Sequence, residues 1–198
     1  MSQPERPMRA DARRNYERLI AVAREAFTEH GAEARLDDIA RRAGVGPGTL
    51  YRHFPSRDDL LAAVYRDDVE ALRAQAEELA GRLPPADALA AWLRLQLDYL
   101  KVKRGLWTAL KAMLAADSET LARCKDTMRS ALGGLLDRAQ AAGVVRPDVD
   151  APTVLRLVHG VGLASESAPE EADRLLGIML DGLRPPPSSA PAATSART

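Results

Sequence analysis

The stretch GVGPGTLYRHF, residues 44–54, decides the fold, because three glycines and a proline stand among Leu50, Tyr51 and Phe54. Glycine and proline are the poorest residues for a helix interior, yet helix-patterned apolar segments lie on both sides. Just before it, LDDIARRA (36–43) puts Leu36, Ile39, Ala40 and Ala43 on one face of a short helix. Gly44 follows Ala40 by four residues, a small pair that lets two helices approach closely, and glycine accepts the positive φ of a sharp turn. Gly46 is placed to cap the next helix, and Pro47 to be its first residue, where a missing N–H costs nothing. Glycine and proline thus start a helix here, PGTLYRHF, of about two turns. Val45 and Leu50 fill the space between the two short helices.

Two short helices across a tight turn make a helix-turn-helix pattern, whose second helix suits a DNA major groove. Gly48 carries no side chain, so the backbone can press against the duplex. Thr49, Tyr51 and His53 offer hydroxyl and imidazole groups to phosphate oxygens, and Arg57 adds charge to the same edge. Phe54 reads as core; Tyr51, flanked by Thr49 and His53, reads as a DNA contact.

Toward the N-terminus, Tyr16, Leu19, Ile20, Ala23, Ala26 and Phe27 recur at helical spacing, which predicts a helix from about 11 to 30 ended by Gly31. Arg13, Arg14 and Arg18 form its solvated face. Residues 1–10, with two prolines and two arginines, read as a flexible arm. Toward the C-terminus, Ser56 and Asp59 form an acidic capping box that opens a long helix to about Leu83. Pro84 and Pro85 break the chain, and residues 86–103 are apolar nearly all round, the pattern of a helix inside a bundle. LWTALKAMLAA (106–116) follows Gly105. Further helices run from Asp117 or Ser118 to Ala142, from an Asp150 cap to Ala164, and from Pro169 to Leu183. The tail from 185 to 198 has a disordered composition. The expected fold is all-α, with a helix-turn-helix head over 11–56 and a helical bundle over 57–184.

Composition agrees. The hydrophobic fraction is 46% with only 4% aromatics, so the core rests on Leu, Val and Ala. Net charge is zero, although residues 1–57 hold eleven arginines against eight acids, a mild excess of the sign DNA requires. A single cysteine, Cys124, excludes an internal disulfide, fits a reducing compartment and reads as a quiet core residue. There is no apolar run of the roughly twenty residues that span a membrane, and no apolar signal-peptide stretch at the start. A cytoplasmic protein is expected. His30, His53 and His159 are scattered, and no HExxH, GxSxG, P-loop or Cys/His metal spacing occurs. No enzyme activity, cofactor or metal is therefore expected.

In the bundle, Trp92, Gln96, Tyr99, Trp107, Met113, Met128 and His159 are candidates for the lining of a small-molecule pocket. Ordinary core packing is an equal reading for each one singly. Gly133-Gly134 inside a helix suggests close helix contact or a hinge. The segments VLRLVHGVGLA (154–164) and DRLLGIMLDGL (173–183) are apolar over wide faces, with Gly160 and Gly162 permitting tight packing.

The run DDIARRAGVGPGTLYRHFPSRDDLL (37–61), with Phe27 and Gly31 in step before it, closely resembles the signature of TetR-type bacterial transcriptional regulators. The resemblance implies that Thr49, Tyr51, His53 and Arg57 contact phosphates, and it sets Gly46, Pro47, Gly48 and Arg52 nearest the groove. Two residues depart from the family pattern. Arg35 stands where Ser or Thr often caps the second helix; it can reach a phosphate by charge but cannot cap. Pro47 stands where Lys or Gln often reads bases. Specificity is then expected from the Thr49 methyl, from Arg52, and from Arg6 and Arg9 in an adjacent minor groove. The resemblance further implies a homodimer through the last two helices (about 151–183) on a double-stranded operator, and release by a small, largely apolar effector. A regulator acting as activator and an adaptor whose head binds protein are the alternatives.

Overall fold

The computed structural model describes residues 5–102 and 118–186. The described residues contain eight α-helices and no strand: α1 (Glu5–His30), α2 (Leu36–Arg42), α3 (Pro47–His53), α4 (Arg57–Arg82), α5 (Pro85–Val102), α6 (Ser118–Ala141), α7 (Ala151–Ala164) and α8 (Ala172–Gly182). Trp107, Met113 and the expected helix over 106–116 lie outside them, as do residues 1–4, the last twelve residues and the side chains of Arg6 and Arg9.

Local chemistry places the boundaries. Gly46 is the N-cap of α3 and Pro47 its first residue, where the first N–H groups lack helical acceptors in any case. Ser56 and Asp59 close a reciprocal capping box: the Asp59 amide donates to Ser56 Oγ at 3.1 Å, and the Ser56 amide donates to Asp59 Oδ2 at 3.0 Å. Asp150 accepts the Thr153 amide at 2.8 Å to start α7. Between α2 and α3 the chain reverses at Gly44, whose φ of 66° lies where a Cβ would crowd the following carbonyl.

One boundary differs from expectation. α1 begins at Glu5, so residues 5–10 are helix and not a flexible arm. Pro7 falls in the first turn, where it removes no helical hydrogen bond, so a proline there does not delay the helix.

Side chains segregate into two cores. The head core gathers Leu19, Ile20, Ala23 and Phe27 of α1, Ile39 and Ala40 of α2, Leu50 of α3, Phe54, and Leu60, Leu61, Ala63 and Val64 of α4. The bundle core gathers Val69, Leu72 and Ala76 of α4 with Leu89, Trp92, Leu93 and Leu97 of α5, Leu132 and Leu136 of α6, Val154 and Val158 of α7, and Leu176 of α8. Full burial of each large apolar side chain contributes about 1.5–3 kcal/mol. The expected border after residue 56 thus cuts through shared structure, since the first two turns of α4 belong to the head. Tyr65 packs against both cores. Arg24 of α1 adds a polar tie, donating from Nε to the buried Asp68 at 2.6 Å and pairing also with Asp67. Arg42 ties α2 back to α1 through Glu29 and Glu25.

Glycines in the bundle behave unequally. A Cβ on Gly162 would meet Leu100 Cδ1 at 3.2 Å, so α7 and α5 pack closely there. At Gly133, Gly134 and Gly160 an added Cβ would meet nothing within 4 Å among the described residues, so no close helix contact occurs there among them.

Candidate nucleic-acid interface and bundle cavity

In α3 the i, i+4 rule puts residues 47 and 51, and 48 and 52, on one face. That face looks outward: Gly46, Pro47, Gly48, Tyr51 and Arg52 are exposed, while Leu50 opposite them is buried. Tyr51 is 45% exposed and stands on the same outward face as Pro47, Gly48 and Arg52. A Cβ at Gly48 would touch nothing within 4 Å, so the helix surface there is bare backbone. Arg52 has neither a hydrogen-bond nor an ion-pair partner among the described residues. Thr49 and His53 are half-buried at the flank of this face. The His53 ring leans on Tyr16 of α1, their centroids 6.1 Å apart, and Tyr16 in turn packs on Phe54 at 5.3 Å. Tyr16 therefore orients His53, a role that periodicity alone assigned simply to the core. Phe54 is core, as expected.

Arg35 and Arg57 take different places. Arg35 is exposed at the N-cap of α2 and gives that helix no side-chain hydrogen bond. Replacing it by serine supplies the missing acceptor and is expected to raise stability by about 0.5–2 kcal/mol, read as a higher thermal midpoint. Arg57, by contrast, is engaged within the protein. Its Nη2 donates to the Gly31 carbonyl at 2.9 Å and its guanidinium lies 5.4 Å above the Phe27 ring. It fastens the start of α4 to the end of α1, and a phosphate contact by Arg57 competes with that tie.

Four of the seven pocket candidates meet at one cavity. Gln96, Tyr99, Met128 and His159 line a space of about 930 Å³, open mouth included, between α4, α5, α6 and α7. Its wall also includes Tyr65, Val69, Leu100, Leu121, Pro152 and Leu155, and its basic members are Lys125, Arg129 and Arg156. Trp92 does not reach it. That ring is fully buried and donates its Nε1–H to the Leu72 carbonyl at 2.8 Å, so Trp92 is a core residue of the bundle. Cys124 is buried in the same core. Burial, with smaller contributions from Cys124 and Asp68, pushes the Tyr65 hydroxyl up to about 12. Burial first, then the Asp68 carboxylate, raises Tyr99 well above the ordinary phenol range. His159 donates from Nδ1 to the Leu155 carbonyl at 2.8 Å, and desolvation by the cavity wall holds its pKa below the usual imidazole value although solvent reaches the ring through the mouth. The neutral ring is thereby favoured. Sequence reading missed Lys125, Arg129, Arg156 and Tyr65. The four-residue spacing of Lys125 and Arg129 on α6 was a visible signal, but nothing local brings Arg156 of α7 beside them.

Comparison with known proteins follows the same division. Residues 19–64 match bacterial regulatory proteins of the tetR family, and residues 84–185 match the SbtR-like transcriptional regulator C-terminal domain. A TetR transcriptional regulator of Streptomyces coelicolor has a similar structure (40% identical, 87% of this chain and 99% of that one, TM-score 0.75). So does a TetR regulatory protein of Mycobacterium vanbaalenii (33% identical, 90% of this chain and 100% of that one, TM-score 0.71). A helix-turn-helix transcriptional regulator of Staphylococcus aureus is 41% identical over 64 residues, 32% of this chain, and the match spans only 35% of the length of that relative. None of the helices described is long and apolar enough to cross a membrane. With its bare α3 face, its two-core build and these likenesses, the chain belongs to the TetR family of DNA-binding transcriptional regulators.

Proposed function

We propose that the protein is a ligand-responsive repressor that binds an inverted-repeat operator as a homodimer. The observation that carries the reading is the outer face of α3, where Pro47, Gly48, Tyr51 and Arg52 stand exposed on a helix anchored from behind by Leu50. Phosphate contacts fall to Thr49, Tyr51 and His53, and Arg35 adds charge from the head of α2. Arg52 and the Thr49 methyl read the groove.

Dimerisation uses α7 and α8. Leu157, Leu163 and Ile178 are 45%, 69% and 60% exposed, and Gly160 offers bare backbone between the first two. A two-fold pair presents two α3 helices one DNA turn apart, about 34–36 Å. The effector enters the cavity lined by Gln96, Tyr99, Met128 and His159. Tyr65, which reaches that cavity and packs on both cores, couples occupancy to the placement of the head. An effector that prefers a conformation with wrongly spaced heads weakens operator binding by that differential affinity.

Selection of bound fragments from random double-stranded DNA tests the reading. An enriched inverted repeat is expected, with affinity falling steeply as salt rises. Binding without any enriched sequence, or none at all, removes the repressor proposal.

A further inference from the structure

The cavity has charge of one sign. Its wall is apolar over Val69, Leu100, Leu121, Met128 and Leu155, yet Lys125, Arg129 and Arg156 stand at the mouth and no carboxylate lines it among the described residues. The rest of the bundle is built otherwise. Arg73, Arg82 and Arg123 each hold a glutamate within one helical turn, and the whole chain balances 28 basic against 28 acidic residues. At the cavity, Arg129 pairs with Asp126 at 3.0 Å. Among the described residues Lys125 has no ion pair; Arg156 donates to the Thr153 hydroxyl at 3.1 Å, and its charge also acts on Asp150, the cap of α7, without a direct ion pair. His159, neutral at the same mouth, adds no acid.

A second observation lies deeper. Gln96 is 3% exposed, and its Oε1 has no hydrogen-bond partner among the described residues. A buried amide oxygen left so is destabilising, and a donor on an occupant offsets that cost. An apolar wall, an acceptor within it and rim cations with no carboxylate beside them in the described lining together describe one kind of guest.

We infer that the effector is an amphipathic anion, an apolar body that carries a hydrogen-bond donor toward Gln96 and a carboxylate or similar group toward Lys125 and Arg156. This inference rests on the reading of the cavity as the effector site. It narrows a largely apolar molecule to one with a charged end, and it gives the two cations a role in selection.

The test uses the full-length protein and a neutral fluorophore, N-phenylnaphthylamine, which reports an apolar cavity irrespective of charge. Two matched pairs compete with it at neutral pH: decanoate against decanol, and naphthoate against naphthol. Because the neutral members partition more readily into apolar surroundings, preference for an acid requires a charge contact. The expected result is that at least one acid displaces the dye about tenfold or more better than its neutral partner, the size of one charged hydrogen bond. In the double variant Lys125→Gln/Arg156→Gln, whose side chains are exposed, that preference falls to within about twofold while dye uptake persists. Equal displacement by acid and neutral partner in both pairs overturns the inference and leaves the cavity reading standing. So does a preference that survives the double variant. Absence of dye uptake, together with no binding of either acid by equilibrium dialysis, overturns the cavity reading and the inference with it.

Discussion

Tyr51→Ala is expected to lower operator affinity by about a hundredfold or more and to leave the fold unchanged. The ring is 45% exposed and outside the head core, so its removal opens no cavity, and surface changes of this kind stay within about 0.5 kcal/mol of stability. On DNA the loss is larger. A hydrogen bond to a charged group contributes about 1.5–3 kcal/mol, and a two-fold complex loses it at both half-sites. Even the low end, counted twice, gives about two orders of magnitude. Tyr51→Phe separates the causes, because it keeps the ring and removes only the hydroxyl. Fluorescence anisotropy on the selected operator, with thermal unfolding as the control, reads both variants. Unchanged affinity in Tyr51→Ala would move the contact surface away from α3.

The second large effect is expected from Leu163→Glu/Ile178→Glu. Neither residue belongs to the bundle core, and their exposures of 69% and 60% mean that a carboxylate is hydrated in the single chain. At a two-fold interface the same change sets like charges against each other and leaves them desolvated. Sedimentation should therefore show one chain where the unsubstituted protein shows two. Operator affinity should fall by about a hundredfold or more, because the second half-site is no longer delivered at high effective concentration. A variant that stays dimeric would place the interface elsewhere on the bundle.

What the sequence disclosed divides by range. Interactions closed within four residues were legible: Gly46 and Pro47 opening α3, Ser56 with Asp59 opening α4, and Asp150 opening α7. The placing of Pro47, Gly48 and Arg52 nearest the groove came from the family resemblance and not from spacing. The start of α1 was not legible, because a proline reads as a breaker and its harmlessness depends on falling in the first turn. Trp92 was misplaced as a pocket candidate for another reason. A helix apolar nearly all round does not say which of its sides meets a gap, and the Leu72 carbonyl that Trp92 bonds belongs to a different helix. The basic mouth of the cavity is likewise a product of α6 and α7 lying side by side. Arg57 shows another limit of local reading: its residue type fits a phosphate, and nothing in the sequence near it announces the Gly31 carbonyl and the Phe27 ring that it also meets.

The continuity of α4 through both cores bears on how such proteins can be recombined. Its helix contains no glycine or proline between Arg57 and Ala80, so the loop before it is a tempting junction for grafting this head onto another sensor. A chimaera spliced there would exchange Leu60, Leu61, Ala63 and Val64, four side chains that seal the donor head from beneath. The workable junction lies one turn past Tyr65, inside the rod, where donor and recipient must agree on helical phase. A graft with the phase wrong by one residue would swing the head by about 100° around the helix axis and point its reading face away from the groove. Modularity in this chain is therefore a matter of rotational register, not of loop length.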